Sequence, residues 1–212
     1  MSQVSIPWLP RLQKNHLEVP SRATLERWIR WHRGNPGMDA RVLPLVAALN
    51  ARGIPTWGSC DGHPDTFPRG VWYPWVYLGD DDIIRDRRGV LRRRPEALRV
   101  DPIALERAVW ELIRAWYAIR EEPKDEIYPV ISPLGISGSQ ALVPHGCFPG
   151  GGAHRVIGRH LGLKGRRDIY ERAWREFDPF TQWLMHGTSP EGPVSPPAID
   201  PRVAVRRGTS CT

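Results

Sequence analysis

The sequence predicts a mixed fold, α/β or α+β, in which a small sheet carries packed helices within a single domain. Three observations predict it. An amphipathic helix pattern over 39–51 runs directly into a short apolar strand and a glycine-rich loop. A longer helix pattern over 102–120 opens on Asp101-Pro102, an N-cap followed by proline at the first helical position. Short β-type runs at 54–57, 74–78 and 127–131 stand between the helices and are expected in one sheet.

Residues 1–20, broken by Pro7, Pro10 and Pro20, read as an extended arm. Ser21 caps a first helix whose Leu25, Trp28 and Ile29 form a stripe, stopped by Gly34-Asn35-Pro36-Gly37. In the second helix Asp39 is the expected cap, Val42, Leu45, Val46 and Leu49 share one face, and Gly53 ends it. A strand over 54–57 follows. The next β-type run covers 71–78, with Pro74 marking an edge or bulge. Asp80-Asp81-Asp82 and six arginines, Arg85, Arg87, Arg88, Arg92, Arg93 and Arg94, make a charged excursion over 80–100. Ile83-Ile84 and Val90-Leu91 give that excursion a hairpin pattern. After the long helix come a strand at 127–131 and a Gly-, Ser- and Pro-rich loop over 132–152. A helix is expected from near Ala153, and another over about 167–185 that Pro179 bends or interrupts. Residues 188–212 have breaker composition and no apolar period, which predicts a flexible tail behind a domain over 21–187.

The formal net charge is +7, carried by arginine rather than lysine. Guanidinium forks match phosphate oxygens, so the charge points to a polyanion, nucleic acid above all, or equally to compositional bias without a partner. Ten tryptophans need burial or a stacking role. Three cysteines, Cys60, Cys147 and Cys211, make no disulfide framework. No apolar N-terminal run follows a basic start, and no stretch approaches a membrane span. The expectation is therefore a cytoplasmic protein without a membrane partner.

The loop after the first strand concentrates the chemistry. Ser59, Cys60, Asp61 and His63 are the candidate catalytic residues. A thiol reacts only as thiolate, which needs a cation, a helix N-terminus or a metal nearby, and His63 stands three residues on. The plainer reading makes Cys60 a core thiol and Ser59 and Asp61 turn residues. A second cluster runs from His145 and Cys147 to His154. Cys60, His63, His145 and Cys147, with His154 beside them, are the candidate zinc ligands, without the paired Cys-x-x-Cys of a finger. Gly150-Gly151-Gly152 before a helix reads as an anion cradle or as a linker. Gly151, Gly152, Arg155 and Arg159, together with Trp57 and Trp75, are the ligand-binding candidates. If the strands before the two loops run parallel, both loops open at one sheet edge and line one pocket, with Trp57 or Trp75 as its wall and Arg155 near it.

The run Asp39-Ala-Arg-Val-Leu-Pro-Leu-Val-Ala-Ala-Leu-Asn50, then Gly53-Ile-Pro-Thr56, then Ser59-Cys60-Asp61-Gly62-His63, resembles the core of the tRNA wybutosine-synthesising protein 3 family. There a helix leads through a strand to a Thr-x-Ser-Ser-Cys-Ser-Gly-Arg-like loop. Ser59, Cys60 and Gly62 match. Thr56 is set one residue further from Ser59, and His63 stands where that family has Arg. The resemblance covers about residues 38–80. The Ser-Cys-x-Gly-His loop is also similar to loops of uncharacterised bacterial and phage proteins. What the family resemblance implies is an α/β core and methyl transfer from S-adenosylmethionine to a tRNA base.

Three functions follow as expectations. One is a nucleic-acid- or nucleotide-directed protein, RNA favoured, with an RNA-modifying site at the 59–63 loop. Another is a non-catalytic module that contacts nucleic acid or an acidic protein through Arg87, Arg88, Arg92, Arg93 and Arg94. The third is a zinc-dependent hydrolase or zinc-stabilised fold.

Overall fold

The computed structural model describes residues 16–34, 38–68, 70–79, 83–85, 91–93, 100–120, 127–133, 140–147 and 153–187. The expectations for residues 1–15, for the tail over 188–212, and for Arg87, Arg88, Arg94, Gly151 and Gly152 lie outside the described residues.

In chain order the elements are α1 (Arg22–Arg33), α2 (Leu43–Ala51), β1 (Thr56–Cys60), β2 (Trp75–Leu78), β3 (Ile83–Arg85), β4 (Leu91–Arg93), α3 (Pro102–Ile119), β5 (Pro129–Pro133), β6 (Gln140–Pro144) and α4 (Ala153–His186). Four strands form one sheet in the order β1-β2-β6-β5, and β3 and β4 pair separately as a hairpin. The mixed class is the one the sequence predicts. Every pairing in the sheet is antiparallel, which makes it the α+β form. The parallel arrangement of the strands at 54–57 and 127–131 does not occur. The reason is β6: it lies inside what reads as a Gly/Ser/Pro-rich loop, and it folds back beside β5 as antiparallel neighbours do across a short connection.

One face of the sheet carries α1, α2, α3 and the later part of α4, while Leu161 and Ile169, earlier in α4, pack on the other. Val76, Leu78 and Leu142 point into a core shared with Leu25 and Trp28 of α1, most of α2, Leu105 to Trp116 of α3, and Trp174, Phe177, Phe180 and Leu184 of α4. The predicted stripe of Val42, Leu45, Val46 and Leu49 is buried in it. Ala47, Ala48 and Ala51 are buried too, so α2 is enclosed on all sides rather than on one face. The opposite face holds a smaller cluster of Cys60, Trp72, Tyr73, Trp75, Ala141, Val143 and Cys147.

Several boundaries differ from expectation for physical reasons. The strand after α2 starts at Thr56, past Pro55, and runs on through Ser59 and Cys60, which pair with Val76 and Trp75. Its register shifts between Thr56 and Gly58, a bulge on an edge strand. The other edge, β5, begins at Pro129 and ends at Pro133. Ser21 and Asp101 cap α1 and α3 as expected, accepting from the N–H groups of Thr24 and Ile103. Pro179 does not interrupt α4: Phe177, Phe180 and Leu184 are fully buried around it and hold the helix across the missing N–H. The break comes instead at Gly162, whose φ of 62° and ψ of −178° divide α4 into two helices. No helix among the described residues is long and apolar enough to cross a membrane.

Arg52, 2% exposed, is a buried cation bonded to carbonyls. Its guanidinium donates to Leu184 O at 2.8 Å, Trp183 O at 3.4 Å, and His16 O and Glu18 O at 3.0 Å each. It satisfies the C-terminal carbonyls of α4 and ties residues 16–18 to the body. Burial pushes its pKa down to about 10. Arg52→Lys keeps the charge and loses the fork, so carbonyls are left unpaired. Urea unfolding should show a loss of about 2 kcal/mol or more with an unchanged m value.

Candidate functional site

The chain leaves β1 at Cys60 and turns back through Gly62. A Cβ on Gly62 would lie 2.7 Å from the Tyr73 carbonyl carbon, and its φ is +91°, so glycine is required twice over. The turn is closed by the His63 N–H to Val71 O at 2.7 Å and the Thr66 N–H to His63 O at 3.2 Å.

Asp39 reaches this turn from the start of α2. It does not cap the helix: α2 begins at Leu43 with Pro44 in its first turn, and Val42 occupies the cap position. Asp39 Oδ2 instead accepts the Asp61 N–H at 3.1 Å. The ligand-type atoms of Asp39, Cys60, Asp61 and His63 all lie within 4.8 Å of one another. His63 stands between the carboxylates, with Nε2 3.7 Å from Asp39 Oδ2 and Nδ1 3.7 Å from Asp61 Oδ1. Both separations are ion-pair contacts, longer than hydrogen bonds. The His63 side chain is 36% exposed, which opens the group to solvent, while Cys60 is fully buried behind it.

The electrostatics separate the two acids. Burial is the largest influence on Asp39 and acts to raise its pKa. The pull of His63, the Asp61 N–H and the Cys60 thiol outweighs it, so Asp39 titrates below its ordinary value. Burial and then the Asp39 charge push Asp61 up to about 6. Asp39 raises His63 against the opposing effect of burial, with the Asp61 charge adding to the rise. Two carboxylates with divergent proton affinities beside an imidazole form an acid–base arrangement.

Helix α4 fixes the turn from outside. The Trp174 Nε1–H donates to Asp61 O at 2.9 Å, Arg166 donates to Pro64 O at 3.1 Å, and Arg167 pairs with Asp65 at 2.8 Å. Arg41 lies over the Trp174 ring at 4.5 Å and donates to Asp178 and Tyr170.

Of the residues singled out in the sequence, Cys60, Asp61 and His63 come together. Ser59 does not join them, because strand alternation turns it to the other face, where its hydroxyl donates to Met38 Sδ at 3.2 Å. The sequence pattern assigns Asp39 only a capping role and gives Arg41 and Trp174 no place at the site. Pro44 was the signal for Asp39, since a proline in the first turn moves the helix start beyond the reach of a cap at 39.

The zinc set of Cys60, His63, His145 and Cys147 is not assembled. His145 stacks on Tyr128 with centroids 4.8 Å apart, and burial pushes the Cys147 thiol up to about 12. The ends of β1 and β6 do point the same way, with β2 between them, yet the second cluster opens on its own cleft of about 650 Å³. Trp72, Tyr128, His145, Cys147, Leu161 and Arg172 line that cleft. Trp57, Cys60, His63, Trp75 and Arg155 do not, so this cleft is not the single pocket expected to join the two loops. Arg155 and Arg159 lie exposed on the first part of α4, and Arg92 and Arg93 fall on β4.

Asp61→Asn tests the strained carboxylate. Its folded-state pKa of about 6 stands above the ordinary 3.8, so the folded chain binds the extra proton. The contribution of Asp61 to stability is greatest below pH 4 and falls as pH rises toward 6. In EDTA, Asp61→Asn should therefore stabilise the protein by roughly 2 kcal/mol above pH 7, with a gain of a few degrees in Tm. The gain should vanish near pH 4, and a pH-independent effect would place the cause elsewhere.

Comparison of the chain with protein-family models, with curated proteins and with solved structures gives no match, so the reading of this site rests on its own geometry.

Proposed function

We propose that the chain is a nucleic-acid-directed protein, RNA favoured, that engages a single strand at the Trp57 edge of its sheet and acts on it at the group around His63. The observation that carries this reading is a row of rings. Trp57, 44% exposed, lies 4.5 Å from Tyr77 between centroids, and Tyr77 lies 4.1 Å from Trp75. Gly58 supports the row from below: a Cβ there would stand 3.2 Å from the Tyr77 ring. Trp75 pairs across the strands with Cys60, so the rings lead along β1 and β2 toward the candidate site.

Stacking on such rings, combined with guanidinium–phosphate contact, is the usual physical basis of single-strand binding. The sequence supplies the cations nearby. β2 ends at Leu78, beside the start of β1, and continues into the hairpin segment with its six arginines. The net charge of +7 supports the same partner class. The resemblance over 38–80 points to RNA independently and makes S-adenosylmethionine the first co-substrate to supply.

Anisotropy of a labelled single-stranded RNA is the direct measurement. Trp57→Ala should weaken binding by about 1–3 kcal/mol, the contribution of one stacked base. Arg92→Ala and Arg93→Ala should each lower the slope of log K against log salt by about 0.7. His63→Ala should leave binding unchanged and remove turnover of the bound strand. Binding that ignores both salt and Trp57 would overturn the reading.

A further inference from the structure

We propose that Asp39, Cys60 and His63 bind one transition-metal ion, zinc by their ligand chemistry, with Asp61 as the outer carboxylate that orients the imidazole. This inference does not rest on the nucleic-acid reading. A thiol, an imidazole and a carboxylate from two separate segments meet within 4.8 Å, and each supplies one donor atom. That mixed sulfur–nitrogen–oxygen set suits zinc and other transition metals, whereas magnesium and calcium take oxygen shells.

The spacing supports an ion between the groups. Two nitrogen or oxygen ligands on a tetrahedral zinc stand about 3.3 Å apart. His63 Nε2 and Asp39 Oδ2 stand 3.7 Å apart, too far for a hydrogen bond and close to the separation across a metal. Cys60 Sγ completes the set, since its ligand atom lies within the same 4.8 Å as those of Asp39 and His63.

Asp61 supplies the second observation. Its Oδ1 is buried and accepts no hydrogen bond among the described residues, yet it faces His63 Nδ1 at 3.7 Å. A histidine bound to metal through one nitrogen characteristically donates its other N–H to a carboxylate. With Nε2 on the ion, Nδ1–H is directed at the acceptor that otherwise lacks a donor. Three protein ligands leave a fourth position, and the exposed side of His63 places that position toward solvent, as in zinc sites that bind water or substrate.

The test is a cobalt(II) titration of the full chain after EDTA treatment, followed by zinc displacement. The expected result is one equivalent bound with sub-micromolar affinity, a thiolate-to-cobalt charge-transfer band, and tetrahedral d–d intensity that zinc abolishes. Cys60→Ser should remove the charge-transfer band. Because Cys60 is buried, half-exposed His63 provides the variant that keeps the fold, and His63→Gln should lose the tight site with its circular dichroism unchanged. Asp61→Asn should weaken binding by about 10–100-fold, the usual effect of losing an outer-shell partner. His145→Gln should change nothing. Cobalt bound without a sulfur band, binding unaffected by His63→Gln, or equal losses from His145→Gln and His63→Gln would each overturn the proposal. Because the readout is metal binding, a failed RNA experiment leaves it standing, and the converse also holds.

Discussion

The shape of the turn after β1 depends on one face of α4. Arg166, Tyr170, Trp174 and Asp178 are spaced four residues apart, so they line up along a single stripe of the helix. Arg166 holds Pro64 O and also lies over the Phe67 ring at 4.4 Å, while Trp174 holds Asp61 O. Tyr170 and Asp178 both bind Arg41, which covers the Trp174 ring between them. A loop has few contacts of its own with which to resist motion. Here its carbonyls are fixed at two points to a rigid element, and the same helix anchors the segment that brings in Asp39. The separations around His63 are set by that scaffold rather than by the turn alone.

The fold was legible where the pattern was long. The stripe from Val42 to Leu49 and the capped helix after Asp101 needed only periodicity and a cap to be read. It was illegible where an element was short and its composition resembled a loop. β6 contains Ala141-Leu-Val143 between a glycine- and serine-rich stretch and Pro144, and nothing local distinguishes such a run from a turn. Its strand character comes from pairing with β2 and β5, which is a tertiary fact. Missing β6 also reversed the expected strand directions. The site was half legible for a related reason. Cys60, Asp61 and His63 lie within four residues, so the sequence displays them together. Asp39 is brought in across the end of β1, and only the packing of α2 against β1 and α4 reveals that it belongs there.

The two faces of the sheet divide the labour. The helix-covered face contains the long aliphatic core. The other is built of aromatic and small residues, with Tyr77 and Ala141 facing each other across β2 and β6. Where its rings reach solvent, at Trp57 and in part at Tyr77, ordering a ligand costs little rotamer entropy, because each ring turns about only two torsions. The group around His63 sits where that surface meets the edge strand. Buried residues thus supply the framework, and half-exposed ones remain available for chemistry.

The two outer strands have a consequence for how the molecule behaves in a crowded solution. Both edges of a four-stranded sheet offer unpaired peptide groups to any other extended chain. β1 interrupts its ladder with the bulge between Thr56 and Gly58, and β5 is bracketed by Pro129 and Pro133, neither of which has an N–H to give. Both features disfavour in-register extension of the sheet by a second copy. Backbone geometry thus works against fibre-like self-association, independently of surface charge.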